Sequence, residues 1–169
     1  MSYEAHRAWS DRHLEQARDI LRNNACNFLI FPTADEEKDT KQATDMIIEV
    51  KGGDVALRAR KHTNFRDMTI RTRSKWGHET EIDKIRKGFA KWYLYMWFPC
   101  DEACTGVDCK VDDYLLVDMD KMRESNLLDA SYIEPRTKVN TDGLTAFAVI
   151  DIKDMAISDC IVNTTLFLC

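Results

Sequence analysis

Residues 45–60 read DMIIEVKGGDVALRAR, and the glycine pair at their centre sets the first expectation for the fold. Gly52-Gly53 between two alternating segments is a two-residue hairpin signal. With that pair as the turn, Lys51 opposes Asp54, Glu49 opposes Ala56, Ile47 opposes Arg58 and Asp45 opposes Arg60. A strand sends successive side chains to opposite faces. Met46, Ile48, Val50, Val55, Leu57 and Ala59 then share a core face. Asp45, Glu49, Lys51, Asp54, Arg58 and Arg60 share a charged one.

The pattern extends outward on both sides. RDMTIRTR (66–73) continues as a third strand, with Met68, Ile70 and Thr72 inward and Thr69, Arg71 and Arg73 on the charged face. Upstream, Tyr3–Asn23 predicts a helix whose apolar face gathers Trp9, Ala17, Ile20 and Leu21. Asn27–Phe31 is a short apolar strand stopped by Pro32, and Thr33–Ala43 is a polar loop. Downstream, ETEIDKIRKGFAKWYLYMWF (79–98) predicts one long helix with Ile82, Ile85, Phe89, Trp92, Tyr93 and Met96 as its stripe, and Lys84, Arg86, Lys87 and Lys91 as a basic remainder. Asp112–Asp120 reads as a strand buried on both sides. Asp120 is positioned to cap a short helix to Leu128. Gly143–Ile152 is a late strand, and the apolar tail to Cys169 fits either element.

The chain has 169 residues, 44% apolar and 31% charged, which predicts one globular α/β domain over residues 1–169. No run approaches the roughly 20 apolar residues of a membrane span. The first residues hold no apolar signal segment, so the expected location is cytoplasmic. A net charge of −5 excludes a wholly basic nucleic-acid binder and leaves a local basic face open. G-x-S-x-G, P-loop and G-x-G-x-x-G patterns are absent, which leaves acyl transfer, NTP hydrolysis and dinucleotide chemistry without support.

Glu49-Val50-Lys51 is an acid-x-Lys pattern. With the order helix, three strands, helix, strand over roughly residues 3–119, it resembles the PD-(D/E)xK, or restriction-endonuclease-like, superfamily. The segments ATD, RAR, TIRTR and ETEIDKI also resemble uncharacterised phage-encoded proteins. The resemblance implies a mixed sheet with C-terminal additions and a nuclease that cuts DNA phosphodiesters in a host cytoplasm. It implies Mg²⁺ or Mn²⁺ held by Asp45 and Glu49, with Asp35 as an alternative to Asp45 and Glu15 as a further ligand. Lys51 would position the nucleophile. Asp45 and Glu49 lie four residues apart on one strand, roughly 13 Å, so sharing a metal requires a bend or bulge. A second alignment puts Arg58-Ala59-Arg60 in the acid-x-Lys position. A guanidinium cannot bind a cation, so this alignment implies a catalytically inactive relative that binds nucleic acid or a nucleic-acid-binding partner.

Arg58, Arg60, Arg71 and Arg73 are expected on one face of neighbouring strands, extended by Lys61, His62, Asn64, Arg66 and Lys75. Arginine suits bidentate phosphate recognition. The plainer alternative is that Glu79, Glu81 and other acids fold back on them as a structural network. Trp76 is placed either to stack on a base or to serve as core or lid. Cys100, Cys104 and Cys109 crowd into one loop; free thiols are one reading and zinc, with His78, Cys160 or Cys169 as fourth ligand, is another. Cys26 and His13 read as packing. The aromatic run WYLYMWF reads as core or, in part, a homodimer interface. A zinc-stabilised interaction module and a binder of small phosphorylated ligands remain as further classes.

Overall fold

The structure is a computed structural model that describes residues 8–9, 11–25, 29–30, 49–50, 52–61, 67–99 and 109–166; of 29–30, 49–50 and 61 the backbone alone is described. It is a mixed α/β arrangement. A four-stranded mixed sheet and a three-stranded antiparallel sheet carry most of the core.

The central element is the run expected to end the long helix. Residues Trp92–Phe98 form strand β5, and all seven are buried. Seven consecutive apolar side chains exceed what one face of a helix can cover. A two-fold period buries them all. Tyr93, Tyr95 and Trp97 enter one cluster with Met68, Ile70, Leu115 and Val117. Leu94, Met96 and Phe98 enter a second with Trp9, Ala17, Ile20 and Leu116. Each large side chain so buried contributes about 1.5–3 kcal/mol by area, far more than the few tenths per residue that separate helix propensities. The helix predicted over 79–98 is therefore corrected to a six-residue helix, α2 (Glu81–Arg86), followed by a reversal into β5.

That reversal is built from Gly88 at φ +88° and Ala90 at φ +58°. The Gly88 N–H donates to the Ile85 carbonyl at 3.0 Å and the Phe89 N–H to the Lys84 carbonyl at 3.1 Å. These are the paired bonds of a Schellman terminus with glycine in the left-handed position. At the other end, the Thr80 N–H and hydroxyl both donate to Asp83 Oδ2, at 2.9 and 2.6 Å. The Asp83 pKa is lowered by these bonds.

Strand β3 (Val55–Lys61) runs parallel to β5, with Val55 opposite Trp92 and Lys61 opposite Phe98. Strand β6 (Asp113–Asp118) pairs antiparallel on the other side of β5, and β9 (Ile161–Thr164) antiparallel to β6. The order is β3-β5-β6-β9. The predicted Asp112–Asp120 strand thus ends at Asp118, whose carboxylate caps helix α3 (Met119–Glu124) through the Asp120 and Lys121 N–H groups. The role expected of Asp120 belongs to Asp118.

Helix α1 (Leu14–Asn23) covers one face of the four-stranded sheet through Ala17 and Ile20. The other face is covered by α2, α3, helix α4 (Ala130–Ile133), helix α5 (Ile152–Ile157) and the second sheet. In that second sheet β4 (Met68–Arg73), β8 (Ala146–Ile150) and β7 (Thr137–Val139) lie in the order β4-β8-β7. A hydrogen bond of 3.0 Å between Thr69 Oγ1 and the Tyr95 hydroxyl joins the two sheets.

The hairpin expected across Gly52-Gly53 is absent among the described residues. Strand β2 (Glu49–Val50) pairs with β1 (Leu29–Ile30), so Glu49 faces Ile30, while Ala56 faces Tyr93. The partners expected for Arg58 and Arg60, Ile47 and Asp45, lie outside the described residues. Gly53 serves a different geometry. Its φ is +148°, and a Cβ built on it would lie 2.6 Å from Lys91 Cβ. The backbone must pass Lys91 closely because the Asp54 carbonyl accepts from the Lys91 and Trp92 N–H groups, at 2.9 and 3.1 Å. Gly53→Ala is expected to lower unfolding stability by about 1–3 kcal/mol, read from the denaturant midpoint; an unchanged midpoint would contradict this close approach.

His13, expected as packing, stacks on Phe98 with ring centroids 3.8 Å apart and meets Trp9 edge-on at 4.9 Å. Burial, aided by the Arg12 charge, lowers its pKa. The folded state therefore favours neutral imidazole. This contribution is complete above the unfolded value of about 6.5 and is lost as pH falls through the lower folded value. Between about pH 7.5 and about pH 5.5 the native chain should lose more stability than His13→Gln. Equal losses would remove His13 from this account.

Candidate functional site

The site grows from one carboxylate. Glu81 is the first residue of α2. Its Oε2 accepts from Arg58 Nη1 on β3 at 2.8 Å and from the Arg71 backbone N–H on β4 at 2.9 Å. Its Oε1 accepts from the Tyr93 hydroxyl on β5. One side chain thus ties three strands to a helix. Burial, the largest single influence, would lower the Arg58 pKa, but Glu81 first and then Tyr93 and Tyr95 together outweigh it, and the guanidinium is held above its ordinary value. Burial first, then the Glu81 charge, raises the Tyr93 pKa well above the usual phenol range, so its hydroxyl remains a neutral donor.

Above this cluster lies a cleft of about 920 Å³. Arg58, Arg71, Lys75, Lys84, Glu79 and Glu81 line it, with Trp76, His78, Phe89 and Tyr93. Both acids are engaged by cations: Glu81 by Arg58, and Glu79 by Lys87. Arg71, Lys75 and Lys84 make no ion pair among the described residues. Lys75 lies over the Trp76 ring, 4.8 Å from its centroid, and its charge lowers the Asp142 pKa as the least of several causes, hydrogen bonds to the Thr145 and Leu144 N–H groups being the largest. Among the described residues the cleft therefore presents three cations without an ion pair, in a chain whose net charge is −5.

Two rings stand at this cleft in water. Trp76 is 72% exposed and Phe89 61% exposed. Trp76 sits in a turn closed twice, by the Gly77 N–H to the Ser74 carbonyl at 3.4 Å and by the Ser74 hydroxyl to the His78 carbonyl at 2.8 Å. Gly77, at φ +66°, completes the turn. Phe89 follows Gly88 at the helix terminus. The apolar residue at that position commonly packs against the third residue from the helix end. Here that residue is Lys84, and the ring stays exposed.

The structure redistributes the predicted arginine face. Arg58 and Arg60 share one side of β3, but β4 belongs to the other sheet. Arg60 pairs with Asp67 at 3.1 Å and lies 5.9 Å from the Tyr95 ring centroid. A register shift between Arg71 and Arg73 separates those two residues. Arg71 faces the cleft, whereas Arg73 donates to the Gly143 carbonyl at 3.0 Å and lines a separate cavity of about 400 Å³. Trp76 is not core. Phe89 and Tyr93 belong to the site, although their helical spacing with Ile82 and Ile85 assigned them to a buried stripe. The available signal was the glycine beside each exposed ring, in Trp76-Gly77 and Gly88-Phe89.

Of the residues expected to hold Mg²⁺ or Mn²⁺, Asp45 and the accompanying Lys51 lie outside the described residues, as does Asp35. Glu49 is described by its backbone alone, in β2. Glu15 is exposed on α1 and pairs with Arg18. Among the described residues no group of three or more His, Cys, Asp or Glu side chains is placed to hold a metal ion. Of the zinc set, Cys100 and Cys104 lie outside the described residues, and the Cys109 sulfur is in a disulfide rather than the thiolate that zinc requires. Cys160 is a buried free thiol. Among the described residues no helix is long and apolar enough to cross a membrane.

No family profile, curated protein or solved structure matches this chain.

Glu81→Gln removes the charge that answers the half-buried Arg58. The guanidinium head remains about one-third exposed, which discounts the cost. A loss of about 1–2 kcal/mol in unfolding stability is expected. An unchanged denaturant midpoint would show that this carboxylate does not hold the strands together.

Proposed function

We propose that the chain binds nucleic acid in the cleft between β3, β4 and α2. Arg71, Lys75 and Lys84 receive phosphates, and Trp76 and Phe89 meet the bases. The observation that carries this reading is the charge arrangement: both cleft acids are already engaged by cations, while three cations are left for an anion. Fixed cations in a concave, partly apolar site favour a polyanion even on a protein of net negative charge. Exposed rings beside them favour an anion that carries flat bases.

The restriction-endonuclease-like reading of the fold is compatible with this role. What supports it is the chain order of helix α1, the strands, α2 and β5, with β3 parallel to β5, although β1-β2, β3 and β4 belong to three different sheets. On that reading the chain is a nuclease-fold protein used here for binding. Cleavage is a separate proposition, resting on Asp45, Glu49 and Lys51 rather than on the cleft.

Fluorescence anisotropy with a labelled oligonucleotide tests the proposal. Replacing Arg71, Lys75 and Lys84 together by alanine should weaken binding at least about tenfold. It should also flatten the salt dependence by about 2 to 3 in log–log slope. Unchanged affinity in the triple variant would refute it. The same assay with Mg²⁺ or Mn²⁺ addresses cleavage, for which loss of product in Glu49→Ala is the required control.

A further inference from the structure

The cleft's shape and its two rings say which form of nucleic acid it takes. We infer that the ligand is an unpaired strand, of DNA or RNA, whose bases leave their own stack to lie against Trp76 and Phe89. This rests on the nucleic-acid reading above and narrows it.

Three observations lead there. First, the cations line a concavity. A cleft of about 920 Å³ is in the size range that encloses a small ligand. A duplex is read by elements that project into its grooves, the major groove being about 12 Å wide. The cleft wall offers nothing of that kind: α2 is six residues long and its charged residues Lys84 and Glu81 line the cavity. A single strand, by contrast, fits into a positively charged groove with aromatic platforms.

Second, the rings are held out in water by well-bonded backbone structure. Trp76 is carried on a turn with hydrogen bonds at both of its closures, and Phe89 on a fully bonded helix terminus. Leaving two large rings in water costs burial energy that folding elsewhere in this chain recovers almost completely. Trp9, Trp92 and Trp97 are all buried. Trp76 is thus the exposed one of the four tryptophans. In a duplex the faces of the bases are covered by their neighbours, and these rings would gain little. An unpaired base offers a free face.

Third, rings and cations line the same cleft. Lys75 lies over Trp76, and Lys84 and Arg71 share the cleft lining with Phe89. Phosphate-binding groups and base-stacking rings are thus presented together, as a strand of alternating phosphates and bases requires.

The test uses the full chain with a labelled single strand and the same sequence annealed to its complement. The single strand is expected to bind at least about tenfold more tightly. Binding should quench tryptophan emission and shield Trp76 from acrylamide, since the other three tryptophans are already inaccessible. The variants Trp76→Ala and Phe89→Ala should each weaken single-strand binding about fivefold or more, with little change in duplex binding. Both rings are exposed, so the variants should keep the native denaturant midpoint. Equal or tighter duplex binding, or single-strand binding indifferent to both substitutions, overturns this inference and leaves the cation cleft standing. Failure of both forms to bind overturns the nucleic-acid reading itself. Running the single strand as DNA and as RNA identifies which sugar the cleft accepts, and preferential binding of either over its duplex supports the inference.

Discussion

Burial of Trp92–Phe98 on both faces is the constraint from which the other features follow. A strand with apolar groups on both sides must be interior to a sheet, so β5 needs a neighbour on each edge and a layer on each face. Strand β6 supplies one edge in antiparallel fashion, and β3 the other in parallel. A parallel neighbour needs a crossover, and the chain makes it through β4 and α2. The crossover brings Glu81 over Tyr93 and Arg58. The tight return from α2 into β5 forces the left-handed conformations at Gly88 and Ala90 that leave Phe89 in water. The cleft is thus a by-product of how the central strand is reached.

Electrostatics then separates residues that look alike in the sequence. Arg58 and Arg60 answer Glu81 and Asp67 and are part of the scaffold. Arg71, one strand away, meets Glu81 through its backbone N–H, and among the described residues its guanidinium makes no ion pair. Lys84 and Lys75 complete the set. An acidic chain presents a basic site because its local acids are already matched, and a mean charge does not reveal that.

The sequence was legible where one period dominated. Ala17 and Ile20 on α1, Met68 and Ile70 on β4, and Leu57 and Ala59 on β3 all face the core as alternation or helical spacing predicts. It failed where two periods overlapped. Ile82, Ile85 and Phe89 follow helical spacing, and extending that spacing past Gly88 misassigned β5. A continuous apolar run of seven fits a doubly buried strand better than an amphipathic helix, the same argument that located β6. The glycine pair misled for a related reason. Gly-Gly permits a hairpin, but Gly53 is needed because Lys91 leaves no room for a Cβ. That steric demand comes from a residue 38 positions away and has no local signature. The arginine face holds on β3 but fails on β4, where a register shift parts Arg71 from Arg73, and it fails between the two strands, because β3 and β4 belong to different sheets.

Amide hydrogen exchange with and without a single-stranded oligonucleotide tests the central claim most directly, since it locates the ligand without any substitution. Slowed exchange is expected from the end of β4 through the Ser74–Gly77 turn, α2 and the Gly88–Ala90 reversal, with α1 and β9 unchanged. Protection confined to α1 or β9, with residues 71–91 exchanging as before, would contradict it.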